Sequence, residues 1–210
     1  MLQFRLLGIP VTVQPWHWIM LGLFGAIIYN PTNKNDLLNV ALFVLAGFVS
    51  VLVHEYGHAL TGRRYGTRPE IVLHGIGGVA LFPYARFTRG QNILVSAAGP
   101  LIQIVLGVIA LGLLFLTPLP DTPIRTFIYL LGFFSILWAV LNLIPVYPLD
   151  GGQIMMAIMG PHRRRLGLQI SIGTAVIAGL GLFLVLHSFI FPFFLGIMAY
   201  QNYQELQQWR

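Results

Sequence analysis

Cysteine is absent from this chain, and charge is scarce: of 210 residues, 12 are Lys or Arg and 6 are Asp or Glu. Without cysteine there is no disulfide framework and no thiolate metal site. The charged fraction of 9% lies far below the roughly one quarter of an ordinary soluble domain, which excludes that class. No fixed-period repeat and no low-complexity tail is present, and no basic stripe is interleaved with aromatics, so solenoids and nucleic-acid partners are excluded as well. The opening "MLQFRLLGIPVTVQPWHW" lacks the short apolar core and small-residue site of a cleaved leader, and Pro10 and Pro15 interrupt it. The expectation is a mature N-terminus.

What is present is apolar. Hydrophobic residues make up 57% of the chain, and the mean hydropathy is +0.79. Apolar runs lie at about Pro15–Tyr29, Leu37–Thr61, Gln91–Leu116, Ile124–Leu143, Leu166–Leu186 and Ser188–Tyr203. Most approach the ~20 residues that cross a bilayer. A single helix from Leu166 to Tyr203 would be roughly 57 Å long, too long for one crossing, so a break is placed at His187 and Ser188. The expected fold is an all-α polytopic membrane protein with about six crossings, forming one domain over 1–210 with a core at about 37–160. An even number of crossings puts both termini on one face. Arg5, Arg63, Arg64, Arg68, Arg86, Arg89, Arg163, Arg164, Arg165 and Arg210 then fall together, leaving Lys34 and Arg125 opposite. The positive-inside rule turns the ten towards the cytoplasm, which predicts a multi-pass protein of the inner (plasma) membrane with both termini cytoplasmic. Its net charge of +6 reads as a topology signal and as contact with anionic headgroups.

Against this background "VLVHEYGHALTG" (Val51–Gly62) stands out. Three ionisable groups within five residues of a membrane helix each cost several kcal/mol at depth unless they have a purpose and a partner. Four residues apart on a helix, His54 and His58 project from one face, as two ligands of one ion must. Glu55 lies one position round, where its carboxylate can reach a metal-held water without itself ligating. Zinc suits imidazole donors and supplies Lewis acidity without redox chemistry. The bland alternative is a pair of interior histidines hydrogen-bonded to neighbouring helices, with Glu55 protonated or paired.

A catalytic zinc usually takes three protein ligands and leaves one position for water, so a third group is needed from elsewhere. Glu55 aside, Asp150 in "NLIPVYPLDGGQ" (Asn142–Gln153) is the acidic residue near a membrane segment and outside an evident solvent loop. Pro145 and Pro148 stop the preceding helix, and Gly151 and Gly152 allow a tight turn, which places Asp150 in irregular chain lining a cavity. The second and fourth helices both run inward, bringing His54, about 10 Å below its helix end, and Asp150 to the same side. A turn or capping aspartate before two glycines is the alternative.

"HEYGH", "ALTGRRYG", "SAAGPLIQ" (Ser96–Gln103) and "NLIPVYPLDGG" resemble, in order and spacing, the site-2 protease family of intramembrane zinc metalloproteases. The resemblance implies one zinc per chain held by His54, His58 and Asp150, with Glu55 as catalytic base. It also implies a substrate-positioning or oxyanion-supporting role for Asn142, for which an interhelical tie is the alternative. "RPEIVLHGIGGVALFPYAR" looks like the family's membrane-associated β-hairpin, and its β-branched runs around Gly75, Gly77 and Gly78 agree. Its Ile71, Val72, Leu73, Val79, Ala80 and Leu81 are the expected substrate-binding residues, since a strand edge accepts an extended peptide. The implied partners are the bilayer and a single-span membrane protein or signal-peptide remnant. The pattern is that of the compact prokaryotic branch: neither a PDZ module nor a nucleotide-sensing domain pair is recognisable, and Gln103 stands where relatives often have Asn.

Two other functions fit the sequence less well. A metal transporter would need polar groups spaced across the membrane, and the first and last two apolar runs offer almost none. A structural or non-catalytic binding protein would not need a base beside its metal ligands. Of the remaining histidines, His17 between Trp16 and Trp18 reads as an interfacial belt residue. His74 reads as exposed or turn-stabilising, His162 as part of a headgroup-level cation cluster, and His187 as marking the outer turn.

Overall fold

A computed structural model describes residues 1–75, 77–117 and 120–208. Arg210, counted above among the ten basic residues, lies outside them. The chain divides into two compact units, Met1–Arg86 with Ala98–Ala139, and Phe87–Ala97 with Val140–Arg210.

The first unit opens with a hairpin that the apolar periodicity does not announce. Strands β1 (Leu2–Leu6) and β2 (Ile9–Val13) pair antiparallel from Leu2↔Val13 to Leu6↔Ile9. Between them Leu7 and Gly8 both have positive φ, 52° and 79°, as a two-residue turn matched to strand twist requires. The turn is tied to a helix: Tyr56 Oη–H donates to the Leu6 carbonyl at 2.8 Å and Arg63 to that of Leu7 at 2.7 Å. In β2 every second residue is buried, the period-2 signature of a strand with one face in a core. The expected hairpin also forms, from β3 (Glu70–His74) and β4 (Gly77–Leu81), with Ile71↔Ala80 and Leu73↔Gly78 in register. Because β2 pairs in parallel with β3, the result is one four-stranded sheet in the order β1-β2-β3-β4. The expected two-stranded hairpin is therefore half of a larger sheet, and Ile9, Val11 and Val13 bury against Ile71 and Leu73 as its reason.

Four helices belong wholly or in larger part to this unit's chain segments. Pro15, with its fixed φ and missing N–H, starts α1 (Pro15–Tyr29). Helix α2 (Lys34–Arg64) starts at Asn33, whose Oδ1 accepts from the N–H groups of Asn35 at 2.9 Å and Asp36 at 3.0 Å. It ends in Arg63 and Arg64, cations where the helix dipole favours them. One face of α2 (Val51, Tyr56 and Ala59) closes the sheet's core. Another buries Phe43 and Ala46 with Leu130 of α4 (Pro123–Asn142). Helix α3 (Arg89–Leu116) carries Pro100 inside it. Close approach of α2 and α3 depends on small residues: a Cβ on Gly57 would lie 2.5 Å from the Ala98 carbonyl oxygen and 2.8 Å from Gly99 Cα.

His17 corrects one expectation. Fully buried, it turns its Nδ1 to the Gly75 carbonyl at 3.0 Å and packs edge-on to Trp18 and Phe48. It therefore pins the β3–β4 turn from inside and is not an interfacial belt residue. His74 is exposed.

In the second unit, α5 (Asp150–Met159) leads through a short 3₁₀ turn (Pro161–Arg163) into α6 (Arg164–Leu186), and α7 (Ile190–Gln208) follows. His187, at φ 50°, makes the expected break. Val146, Ala175 and Leu195 form this unit's buried cluster. Among the described residues, four helices have the length and hydropathy to cross a bilayer: α2, α3, α4 and the segment Pro161–Val185. Helix α1 is apolar but spans only 15 residues, and the polar second half of α7 (Gln201, Asn202, Gln204, Glu205) takes it out of that group. The chain is an integral membrane protein.

Candidate metal centre

Helical geometry does to His54 and His58 what their spacing requires. Their Nε2 atoms meet at 3.0 Å, and the residues are 5% and 7% exposed. Two nitrogens bound to one tetrahedral zinc at ~2.0–2.1 Å would stand about 3.4 Å apart, so the pair is already close to that separation.

What turns the first ring is Gln103, a fully buried residue of α3. Its Oε1 lies 2.9 Å from His54 Nδ1, and its Nε2 donates to Ser50 Oγ at 2.8 Å and to the Ser50 carbonyl at 3.3 Å. A carbonyl can only accept, so the amide nitrogen must face Ser50 and the amide oxygen must face the imidazole. His54 Nδ1 therefore carries the hydrogen, which leaves the Nε2 lone pair for a metal. Ser50 Oγ continues the chain to Ser135 Oγ of α4 at 3.0 Å. Sequence reasoning missed Gln103 in this role. The available signal was a glutamine placed deep inside an apolar helix, where an amide needs partners.

Two glycines bring backbone against the site. A Cβ on Gly99 would press on the His58 ring and lie 2.9 Å from His54 Nε2, so the α3 backbone passes directly over the imidazoles. On Gly78 of β4 it would lie 2.6 Å from Glu55 Cγ and 2.9 Å from Glu55 Oε1. Glu55, 4% exposed, thus lies under the last strand of the sheet.

Asp150 is 6% exposed and is the first residue of α5. The structure corrects the reading of the chain around it, because Gly151 and Gly152 are helical and make no turn. Their missing side chains admit a close approach instead. A Cβ on Gly151 would meet the Leu143 carbonyl and lie 2.7 Å from that of Ile144, and on Gly152 it would lie 2.5 Å from that of Val146. Asn142, half-buried, is the last residue of α4. His54 and His58 stand in the first unit and Asp150 in the second. Two imidazoles and a carboxylate are the donor types that a catalytic zinc takes.

Of the predicted hairpin residues, Ile71 and Leu73 are 1% and 0% exposed in the sheet's core. Strand β3 is paired on both sides. Val79 and Leu81 are exposed and Ala80 is half-buried on β4, whose outer edge has no strand partner among the described residues.

The chain is similar to known zinc metalloproteases. A family model, peptidase family M50, matches residues 118–186, the part that includes Asp150. A zinc metalloprotease of Methanocaldococcus jannaschii is 31% identical over 159 residues, which cover 74% of this chain and 44% of that protein. The protein Rip2 of Mycolicibacterium smegmatis is 32% identical over 176 residues, 69% of this chain and 68% of that one. The chain thus spans less than half the length of the first of these relatives and about two thirds of the second. Among solved structures, the site-2 protease from M. jannaschii shares the fold, with a TM-score of 0.67 and 24% identity over 98% of this chain and 94% of that one. With a buried His-Glu-x-x-His helix and homology extending over most of Rip2, the chain belongs to peptidase family M50, the site-2 protease family of zinc metalloproteases.

Proposed function

We propose that this chain is a zinc-dependent endopeptidase that hydrolyses a peptide bond in or near a membrane-spanning segment of another membrane protein. The observation that carries the proposal is the position of Glu55. It is a buried carboxylate adjacent to the histidine pair and lies directly beneath Gly78 of the open-edged strand β4. A structural metal site has no need of such a group.

His54, His58 and Asp150 would hold the ion, and the single carboxylate offsets part of its charge in a site with little water. Zinc held there would supply Lewis acidity, which lowers the pKa of a bound water towards ~7. Glu55 accepts one proton from the attacking water as its oxygen adds to the carbonyl carbon, and returns that proton to the amine as the C–N bond breaks. Gln103 keeps the His54 hydrogen on Nδ1 throughout. Asn142 hydrogen-bonds the substrate near the reacting carbonyl.

A helical substrate must unwind to expose its carbonyl, and its freed backbone groups need partners in lipid. The outer edge of β4, at Val79, Ala80 and Leu81, supplies them by strand addition. Val72 and the buried Ile71 and Leu73 act behind that edge by holding β4 in register. The substrate class is a single-span membrane protein or a signal-peptide remnant. Six crossings in the plasma membrane, with both termini and the Arg63, Arg64 and Arg163–Arg165 clusters in the cytoplasm, complete the reading.

The test is Glu55→Gln in detergent-purified protein. Zinc content stays at one per chain and cleavage of a single-span substrate falls about 10²–10⁴-fold. Equal cleavage by both forms ends the assignment of the base. Val79→Pro removes a backbone N–H from the edge strand and abolishes cleavage with zinc still bound; unchanged cleavage would end the strand-addition proposal.

A further inference from the structure

Asp150 is preceded by seven residues, Leu143–Leu149, that belong to no helix or strand. A ligand at the end of such a segment is placed only as well as the segment itself is held. Tyr147, three residues upstream of Asp150, is held at three points. Its N–H donates to Ser171 Oγ at 2.7 Å, and its carbonyl accepts from Asn202 Nδ2 at 2.7 Å. The third point is its ring, which lies under the Arg164 guanidinium, 5.6 Å from the centroid.

The two polar groups also bind each other. Asn202 Nδ2 donates its second hydrogen to Ser171 Oγ at 2.8 Å, so both amide hydrogens are used and the hydroxyl accepts twice. Asn202 and Ser171 are 2% and 0% exposed. They come from different helices, Ser171 from α6 and Asn202 from α7, and Arg164 at the start of α6 is ion-paired with Glu205 of α7. An asparagine and a serine buried between apolar helices would cost free energy if they merely filled space; here their hydrogen-bonding capacity is spent largely on one residue of the segment. Val146 beside it is fully buried against Ala175 and Leu195 of the same helices. Downstream, Gly151 and Gly152 let the first turn of α5 rest on the backbone of residues 143–147.

We infer that Asn202 and Ser171 are positioning residues for the metal site: the helix pair α6–α7 clamps Tyr147 at both backbone polar groups and thereby fixes where α5 presents the Asp150 carboxylate. The inference rests on Asp150 being a zinc ligand. It gives the last two helices a role at the centre of the chemistry, although neither contributes a ligand.

The test uses the full chain in detergent with Asn202→Leu, Ser171→Ala and Asp150→Ala. Zinc affinity is read by competition with a chromogenic chelator, and the site's geometry by the visible spectrum of the cobalt-substituted protein. The rise in melting temperature produced by saturating zinc is read alongside. The clamp predicts zinc binding weakened about 10–100-fold in both Asn202→Leu and Ser171→Ala. It also predicts an altered cobalt spectrum and a smaller zinc-induced rise in Tm, because a ligand that binds the folded state less tightly stabilises it less. A merely structural role would lower the melting temperature of metal-free and zinc-bound protein alike and leave the rise and the spectrum as they were, which overturns the inference. Asp150→Ala separates the two layers. If it loses zinc while the clamp variants keep wild-type affinity, the clamp alone fails; if it keeps wild-type affinity, the assignment of Asp150 fails and the clamp with it. Should Asn202→Leu not fold, Ser171→Ala, which deletes one oxygen, decides by the same measurements.

Discussion

The two kinds of proposed metal ligand in this protein are held by opposite means. His54 and His58 stand on a continuous 31-residue helix, where 3.6-residue periodicity alone converges their Nε2 atoms. Only the rotation of the His54 ring needs help, and one glutamine provides it. Asp150 stands at the end of a segment with no regular hydrogen-bond ladder, and its surroundings are built from Leu143, Val146, Tyr147, Ser171 and Asn202. A ligand on a helix depends on local spacing; a ligand after a loop depends on every contact that immobilises the loop.

That contrast can be broken at graded strength. The largest effect is expected on the loop side from Gly151→Ala. The added Cβ would meet backbone carbonyls of Leu143 and Ile144 that cannot swing aside, costing about 1–3 kcal/mol and displacing the first turn of α5. Zinc affinity should fall at least as far as in the clamp variants, measured by chelator competition; a wild-type value would show that the glycine contact does not position Asp150. Next comes the helix side. Gln103→Leu keeps the volume but removes the acceptor of His54 Nδ1–H, so zinc should bind about 10–100-fold more weakly, with the cobalt spectrum broadened as the ring turns. Retained affinity in that variant would mean the ring is held by packing against Gly99 instead. The smallest effect belongs to Ser135→Ala, the far end of the same chain, where Ser50 still receives the Gln103 amide. A loss of about 0.5–1.5 kcal/mol in thermal or denaturant unfolding, with near-normal zinc affinity, is expected. If Ser135→Ala matched Gln103→Leu in zinc affinity, the chain would be acting as a single cooperative unit, and the distinction between ring orientation and helix cohesion would go.

Legibility in the sequence followed the same division. Hydropathy and the charge runs located α1 through α4 and α6 to within a few residues, because long apolar runs have few alternatives in lipid. The β1–β2 hairpin passed unread, since "MLQFRLLGIPVTV" has two prolines nearby and β1 is largely exposed, so no alternation marks it. Its partner strand buries Ile9, Val11 and Val13 only because β3 lies alongside in parallel, a pairing across some sixty residues that spacing does not encode. His17 was misread for the same reason: its flanking tryptophans suggest an interface, whereas its partner is the Gly75 carbonyl of a distant turn.

By itself the sequence determined the membrane-embedded class, the convergence of His54 and His58, and the presence of Glu55 beside them, because these follow from composition and from the pitch of a helix. Only the tertiary structure decided that Gln103 sets the His54 tautomer, that β4 passes over Glu55, and that Ser171 and Asn202 grip the segment before Asp150. Those contacts join residues far apart in the chain, and a hydrogen bond or a glycine-sized gap exists only once the packing that creates it is in place.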